Sequence, residues 1–330
     1  MNKAFLLIFL IFSNLPGQGM PPKPKQNLIS RYELHIGVVT IGNQKVISLR
    51  EFMQGNKTFL LIANPENLKT SLVPVEQCSG FQEGMDAVDK TFPESVYVRA
   101  LESVRKHETS LQDAGITSTF PKEKGIVLSV DLCPSEKPLE KGLFTALMNN
   151  FKQKKEPIPV SVSITGHWMR NHKEDLNWLK FLQKSKRFDI TWVNHSYSHR
   201  YIKSLPLQLN FMLMKHTNVR SEVLKNEIMM LENGLTFSVF FRFPGLISSK
   251  QLVDTISGFG LITIGSDAWL AKGQKPNQGS IVLIHGNGNE PYGVHKFLEL
   301  LKSQQMEIKD NSWKLYGLGN SLEEYFKLSH

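Results

Sequence analysis

The 330-residue sequence predicts an α/β fold, either a barrel or a doubly wound sheet, that follows a small β-rich domain. From Gly125 onward, short apolar strands alternate with amphipathic helices, which is typical of parallel β/α architecture. Between Tyr32 and Pro74, by contrast, short β-rich runs are separated by Gly-Asn and Asn-Pro turn signals. These two patterns together predict a larger α/β domain preceded by a smaller β domain.

The chain begins with the pattern of a secretory signal peptide. Lys3 precedes an apolar run from Ala4 to Phe12, and small residues follow up to Gly19. We therefore expect a signal peptide at 1–19, cleaved near Gly19, with an uncleaved anchor as the alternative. The run is too short to span a bilayer comfortably, so the mature chain is expected to be exported, periplasmic or secreted, without a stable membrane span.

A Pro- and Lys-rich linker is predicted at 20–31, and the small N-terminal domain with a connecting helix at 32–115. The strands of this domain are the runs ELHIGVVTI, KVISL and TFLLIA. Residues from Glu94 to Ala114 have the apolar spacing of a helix.

The larger domain is predicted at 124–305, and a C-terminal extension at 306–330 is expected to pack on it. Its predicted strands are the runs IVLSV, PVSVSIT, FDITWVN, FSVFFRF, LITIGS and SIVLIH. Its predicted helices lie around 139–152, 173–183, 221–233 and 293–304.

Composition disfavours several classes of function. The net charge of +9 comes from dispersed lysines, which favours solubility or attraction to polyanions over nucleic-acid binding. The two cysteines cannot build a disulfide scaffold. The glycine-rich segments lack both GxGxxG and GxxxxGK[ST] spacing, and no GxSxG follows a strand, which disfavours a nucleotide enzyme and a serine hydrolase.

Polar residues occur where the predicted strands of the larger domain end. In parallel α/β folds the carboxyl ends of the strands meet at one rim, and chemistry is carried out there. The residues at these ends are Asp131, His195, Arg242, Asp267 and His285. The sequence therefore predicts a functional site at this rim.

The segment NHSYSH contains two histidines, His195 and His199, directly after an apolar strand. Histidines four residues apart share one face if the chain turns helically, and such a pair can hold one metal ion. Two surface histidines at the start of a helix are the alternative. Imidazole suits zinc and similar divalent ions, and a carboxylate commonly completes the ligand set.

Two further rim residues have a predicted chemical role. His285 ends the run IVLI before the flexible segment GNGNEPYG, where an exposed imidazole could serve as a general acid. Arg242 lies between phenylalanines, so its charge needs a carboxylate partner, and Asp131 is the natural one. A salt bridge that only stabilises the fold is compatible with this interpretation.

These residues occur in segments that resemble the NodB-type polysaccharide deacetylases, which form carbohydrate esterase family 4. From Gly125 to about Gln305, the segments LSVDLCPS, HSYSH, FRFPG, SDAW and LIH are similar to the five motifs of that family, in the same order. The resemblance implies a distorted (β/α) barrel of the NodB-homology type, with fewer strands than an eight-stranded barrel.

The resemblance implies a role for each matching residue. His195 and His199 would be metal ligands, Asp131 the catalytic base and His285 the catalytic acid. The resemblance also implies two orienting residues, Arg242 for Asp131 and Asp267 for His285. The substrate and acetyl pocket would be formed by Tyr197, Pro244, Trp269 and Leu283.

One position departs from the family pattern. Leu132 stands where the family has its third metal ligand, an aspartate, so the first motif is a variant with Asp-Leu-Cys. Either Asp131 becomes the third ligand, another side chain replaces it, or metal binding is weak and activity is lost. Cys133 is then a ligand, a disulfide partner of Cys78, or a buried residue.

The expected function is metal-dependent removal of N-acetyl groups from an envelope or extracellular polysaccharide, with release of acetate. The expected cofactor is a divalent metal, zinc or else cobalt or nickel, and the expected partner is an N-acetylated glycan. The alternative is a catalytically impaired, deacetylase-like protein that binds glycans or acts as a scaffold. The sequence carries no signal for the oligomeric state.

Overall fold

The N-terminal part of the chain forms an antiparallel sheet. The computed structural model describes residues 28–106, 110–119 and 121–328, so the predicted signal peptide and residues 20–27 of the predicted linker lie outside the described residues. The sheet has the strand order β4-β3-β2-β1-β5. Its strands are β1 (Ile29–Ile41), β2 (Gln44–Gln54), β3 (Lys57–Ala63), β4 (Thr70–Pro74) and β5 (Cys78–Glu83).

Two-residue turns set the register of this sheet. Gly42 and Gly55 each begin a Gly-Asn turn with positive φ, at 57° and 63°, which suits the tight connections between β1, β2 and β3. Residues such as Ile47 and Leu61 on one face belong to the main hydrophobic core. The other face has a small cluster of its own around Val39 and Leu60. The predicted β-rich domain is therefore observed, with β1 beginning at Ile29, a few residues before the predicted start.

The larger domain is built on a parallel sheet. Its strand order is β10-β9-β8-β7-β6-β12-β11, and β13 pairs with β6 outside this path. All of these pairings are parallel. The strands are β6 (Lys124–Leu132), β7 (Ile158–Ile164), β8 (Phe188–Asn194), β9 (Phe240–Phe241), β10 (Ile262–Thr263), β11 (Ala268–Trp269), β12 (Ile281–His285) and β13 (Trp313–Leu315).

A short segment before β6 links the two sides of this sheet. Ile116 forms a parallel bridge with Ile264, just beyond β10, and Ser118 forms an antiparallel bridge with Ser280, just before β12. The sheet therefore curls until its sides are joined through 116–118, although β10 and β12 do not pair directly in the described ranges. The prediction of a parallel α/β sheet curled into a distorted barrel is confirmed.

Helices cover the sheet and join its strands. Leu143, Phe144 and Leu147 of α3 illustrate the apolar stripe that such helices bury against the core. The helices are α1 (Met85–Thr91), α2 (Val96–Lys106), α3 (Lys141–Asn150), α4 (Gly166–Asn171), α5 (Lys173–Lys184), α6 (Val219–Glu232), α7 (Lys250–Gly258), α8 (Pro291–Ser303), α9 (Gln305–Lys309) and α10 (Leu318–Leu328).

Sequence patterns located most of these elements. The four helices predicted in the larger domain correspond to α3, α5, α6 and α8 within a few residues. The predicted strands FSVFFRF and LITIGS shrink to the two-residue strands β9 and β10. Among the described residues, no helix combines the length and apolarity needed to cross a bilayer.

A buried ion pair fastens the antiparallel sheet to the barrel. Arg50 of β2 donates two hydrogen bonds of 2.8 Å to Glu227 of α6, and both side chains are fully buried. Tyr32 donates to the same carboxylate at 2.7 Å, and Arg50 also donates to the carbonyl oxygen of Phe259. The antiparallel sheet and the barrel therefore share one polar network inside a common hydrophobic core.

Candidate active site

The register of the parallel sheet brings the predicted rim residues together. His285 at the end of β12 is paired in register with Asp131 near the end of β6. Asp131 is in turn paired with Ser163 of β7, and Asn194 at the end of β8 is paired with Phe241 of β9. The residues that follow β8 and β9 therefore lie beside Asp131 and His285.

Asp131 is a buried carboxylate held by a guanidinium. Arg242 is fully buried and donates from Nη1 to Asp131 Oδ1 at 2.9 Å, and also to the hydroxyl of Ser129. Its Nη2 donates to the carbonyl oxygen of Gly265 at 2.9 Å. Burial alone would raise the pKa of Asp131, but Arg242 and the neighbouring histidines outweigh it and lower that pKa. The predicted pairing of Arg242 with Asp131 is observed.

The two histidines of NHSYSH meet without a helix. Ser196 and His199 have left-handed backbone conformations, with φ of 67° and 48°. The Asn194 side chain accepts a hydrogen bond from the Ser196 N–H, and the Ser196 hydroxyl accepts one from the His199 N–H. The helical turn that would place both histidines on one face is not formed, because these local side-chain hydrogen bonds stabilise a tight loop with left-handed residues instead. The loop still places the two imidazole rings 4.9 Å apart.

His195 is oriented through its Nδ1 atom. This nitrogen lies 2.9 Å from the carbonyl oxygen of Arg242, which can only accept, so Nδ1 carries the proton. The Nε2 lone pair then faces the site, 3.5 Å from Asp131 Oδ2 and 3.5 Å from Cys133 Sγ. A carbonyl that fixes the tautomer in this way is the usual support for a metal-binding histidine.

Cys133, His195 and His199 bring their ligand atoms together. One ligand atom from each residue lies within 4.8 Å of the other two. Across the described parts of the chain, the buried Nε2 of His199 has no hydrogen-bond partner, as expected of an atom that needs a ligand. Thiolate and imidazole are ligands that suit zinc. The residues present therefore fit a divalent metal.

The disulfide considered from the sequence is not formed. Cys78 and Cys133 are both free thiols. Cys78 lies in β5, paired with Ile41 of the antiparallel sheet, whereas Cys133 is buried at the rim of the barrel.

His285 has a carboxylate partner that sequence reasoning missed. Its Nδ1 lies 2.8 Å from Glu290 Oε2, and Trp269 Nε1 donates to the same oxygen at 2.8 Å. Burial lowers the pKa of His285, but Cys133, Glu290 and Asp131 outweigh burial and raise it well above its usual value. Asp267 accepts instead from the Ser280 hydroxyl at 3.1 Å, and its predicted role beside His285 stays a prediction.

Glu290 could have been noticed as the single acidic residue in the segment GNGNEPYG, which follows the predicted histidine directly. The glycines and asparagines of this segment indicate only flexibility. The turn after β12, in which Asn289 N–H donates to the Asn287 side chain, leads the chain back towards His285.

A cleft of about 750 Å³ opens over these side chains. Its lining includes Cys133, His199, Trp269, His285 and Glu290, so two of the three residues that could hold a metal share one cavity with His285. Around these, the wall is completed by Pro134, His167, Ser198, Arg200, Tyr201, Phe211, Gly245 and Asn289.

The residues predicted for the acetyl pocket lie at different depths. Trp269 and Leu283 pack with Leu246 in a small apolar cluster separate from the main core. Pro244 is buried beside Gly245 and lines a second, smaller cleft of about 280 Å³. Tyr197 packs its ring against that of His167, with centroids 5.2 Å apart. Their assignment to an acetyl pocket stays a prediction.

Comparison with known proteins gives structural similarities. No family model matches the sequence. A family 4 carbohydrate esterase from Bacillus anthracis is 17% identical, with a TM-score of 0.47, over 69% of this chain and 92% of that one. PdaA, a family 4 carbohydrate esterase from Bacillus subtilis, is 16% identical, with a TM-score of 0.45, over 66% of this chain and 95% of that one. A family 4 pseudoenzyme from Bacillus anthracis is 17% identical, with a TM-score of 0.45, over 69% of this chain and 81% of that one. Over about two thirds of its length, the chain is thus similar to solved family 4 carbohydrate esterases, including one pseudoenzyme.

Proposed function

We propose that this protein hydrolyses N-acetyl groups on a polysaccharide in a metal-dependent reaction that releases acetate. The observation that carries the proposal is the convergence at one rim of the barrel of three groups with complementary chemistry. These are the carboxylate of Asp131 held by Arg242, the imidazole of His285 held by Glu290, and a metal-ligating group that includes His195 and His199. The ordered resemblance of five sequence motifs to polysaccharide deacetylases supports the same reaction.

Asp131 is suited to act as the general base. A divalent ion held by His195, His199 and a third side chain would polarise the acetamide carbonyl and lower the pKa of a bound water. The lowered pKa of Asp131 keeps its carboxylate ionised, and its Oδ1 is occupied by Arg242. Its Oδ2, which lies 3.5 Å from His195 Nε2, is the atom placed to accept the proton of the attacking water.

His285 is suited to act as the general acid. Its raised pKa keeps the imidazole protonated near neutral pH, and Glu290 holds it through Nδ1, which leaves Nε2 to donate to the departing sugar amine. A backbone N–H near Pro244, beside Gly245 in the cleft wall, would help to stabilise the oxyanion. The products are acetate and a free amino sugar.

The substrate we propose is an N-acetylglucosamine-type glycan of the cell envelope or extracellular space, such as peptidoglycan. A cleft of about 750 Å³ can accommodate sugar rings. The apolar cluster of Leu246, Trp269 and Leu283 offers a wall for the acetyl methyl group. The signal-like first residues support export, either to the periplasm or out of the cell.

A second candidate function is favoured by one position. Leu132 stands where the resembling family has an aspartate ligand, which would suit a deacetylase-like protein that binds or scaffolds glycans without hydrolysing them. The two candidates differ in whether acetate is released.

The decisive test compares three purified proteins: the unmodified chain, the double variant His195→Ala/His199→Ala, and the control His295→Ala. His295 is an exposed histidine on α8, so its loss should change neither metal content nor activity. Each protein is analysed for bound metal and assayed for acetate release from N-acetylglucosamine oligomers and peptidoglycan, with zinc, cobalt or nickel added. Stoichiometric metal and acetate release that disappear only in the double variant are expected. Glycan binding without acetate release from any substrate would favour the scaffold instead.

A further inference from the structure

The alternation of side chains along β6 decides which residue of the Asp-Leu-Cys segment can reach the metal. Successive residues of a strand point to opposite faces. Ser129 and Asp131 face the site, as their contacts with Arg242 show. Leu132 points the other way and is fully buried in the main core, where its side chain packs close to Gly286. Cys133, two residues after Asp131, returns to the face of the site.

The surroundings of Cys133 are those of a metal ligand. Its sulfur lies 3.5 Å from His195 Nε2 and belongs to a group of ligand atoms that includes one from His199, a residue whose buried Nε2 has no hydrogen-bond partner among the described residues. Its backbone carbonyl accepts a hydrogen bond of 2.8 Å from the buried side chain of Asn287. This bond fixes the turn that follows β6, and with it the direction of the sulfur.

Asp131 is less suited to the same task. Its Oδ1 accepts from Arg242, whose guanidinium is itself held by Ser129 and the carbonyl oxygen of Gly265. This clamp holds the carboxylate in the position required of a base. Among the described residues, the group whose ligand atoms all lie within 4.8 Å of one another consists of Cys133, His195 and His199, and Asp131 does not belong to it.

We propose that Cys133 supplies the third protein ligand, so that the ion is held by one thiolate and two imidazoles while Asp131 remains free to act as the base. This inference rests on the proposed function and names the ligand set of that site. A sulfur ligand favours thiophilic ions such as zinc and cobalt over magnesium and manganese, which prefer oxygen. Cys133 thereby supplies the ligand that Leu132 cannot, one residue after the end of β6.

The test is optical spectroscopy of the cobalt-substituted protein. A cobalt–thiolate bond gives sulfur-to-metal charge-transfer absorption in the near ultraviolet, which two histidines and a carboxylate do not give. The expected result is this band in the unmodified protein and in Cys78→Ser, the control for the other free thiol. The band should be absent from Cys133→Ser, whose zinc affinity should fall by at least about 100-fold, since even loss of an outer partner costs 10–100-fold.

A second variant distinguishes loss of the ligand from misfolding. Cys133→Asp offers an oxygen ligand in place of sulfur, so it should bind cobalt without the charge-transfer band and retain the circular dichroism of the unmodified protein. The same samples are assayed for acetate release. A charge-transfer band without acetate release would support the Cys133 ligand and overturn the proposed function. Cobalt bound through the histidines without the band would overturn the Cys133 ligand and leave deacetylation standing. No cobalt binding at all would overturn both.

Discussion

Glu290 gives His285 a partner whose charge can be removed without changing its size. Its carboxylate lies 2.8 Å from His285 Nδ1 and is one of the groups that raise the pKa of His285. A raised pKa means that the imidazole keeps its proton to higher pH, so activity that needs the protonated form is lost only as pH rises through that pKa. In Glu290→Gln, we expect the alkaline limb of the kcat/KM profile to move to lower pH by about one unit.

The control for this variant is Glu299→Gln, which removes an exposed carboxylate from α8 and should leave the pH profile unchanged. Acetate release measured between pH 5 and 10 distinguishes a positioning role from a structural one. A uniform loss of rate with an unmoved alkaline limb would argue that Glu290 only supports the loop.

Residue-level prediction succeeded where strand ends decide position. Asp131, His195, Arg242 and His285 follow apolar runs, and in a parallel sheet such residues must share a rim. Spacing alone could not reveal the left-handed loop at Ser196, because its local hydrogen bonds compete with helix formation.

At the scale of single elements, the start of α3 depends on a carboxylate from α5. Asp175 accepts from the Leu139 N–H at 3.0 Å and pairs with Lys141 at 2.8 Å. Burial would raise the pKa of Asp175, but these two partners outweigh it and lower that pKa. Because the folded state then favours the ionised form, the stabilisation is present at neutral pH and is lost as pH falls through the lowered pKa.

We expect Asp175→Asn to lower the free energy of unfolding by about 1–2 kcal/mol at pH 7, where a hydrogen-bonded charge is removed. At an acidic pH below the lowered pKa of Asp175, the difference from the unmodified protein should shrink, because the native carboxyl is itself protonated there. Urea unfolding at both pH values measures this, with Asp254→Asn as the exposed control. If Asp175→Asn lost the same free energy of unfolding at the two pH values, the stabilisation would not come from the charge of the carboxylate.

Elements were predicted well where apolar periodicity is long. The helices α3, α5, α6 and α8 carry enough turns to be recognised. The strands β11 and β13 were missed because two or three residues carry no periodic signal. Their positions are set by pairing with β12 and β6, which are tertiary contacts.

At the scale of the whole molecule, the ion pair between Arg50 and Glu227 joins the antiparallel sheet to the barrel. Glu227→Gln should lower the free energy of unfolding by about 3 kcal/mol or more, because it leaves a fully buried guanidinium without its counter-charge. Urea denaturation followed by circular dichroism measures the loss.

Glu323→Gln, which removes the carboxylate of an exposed helical pair with Lys327, is the control and should change stability by less than about 0.5 kcal/mol. A loss of that smaller size in Glu227→Gln would show that the two domains are not coupled through this pair.

The pairing of β6 has consequences for how the chain is made. β6 is hydrogen-bonded to β12 and β13, and the loop after it is held by Asn287, 154 residues further along the chain. Such distant pairings form slowly and late. Nearly the whole chain must therefore be synthesised before the barrel can close, because β12 and β13 lie near its end. Until then the antiparallel sheet, whose pairings are local in the sequence, can form while β6 still lacks two of its neighbours.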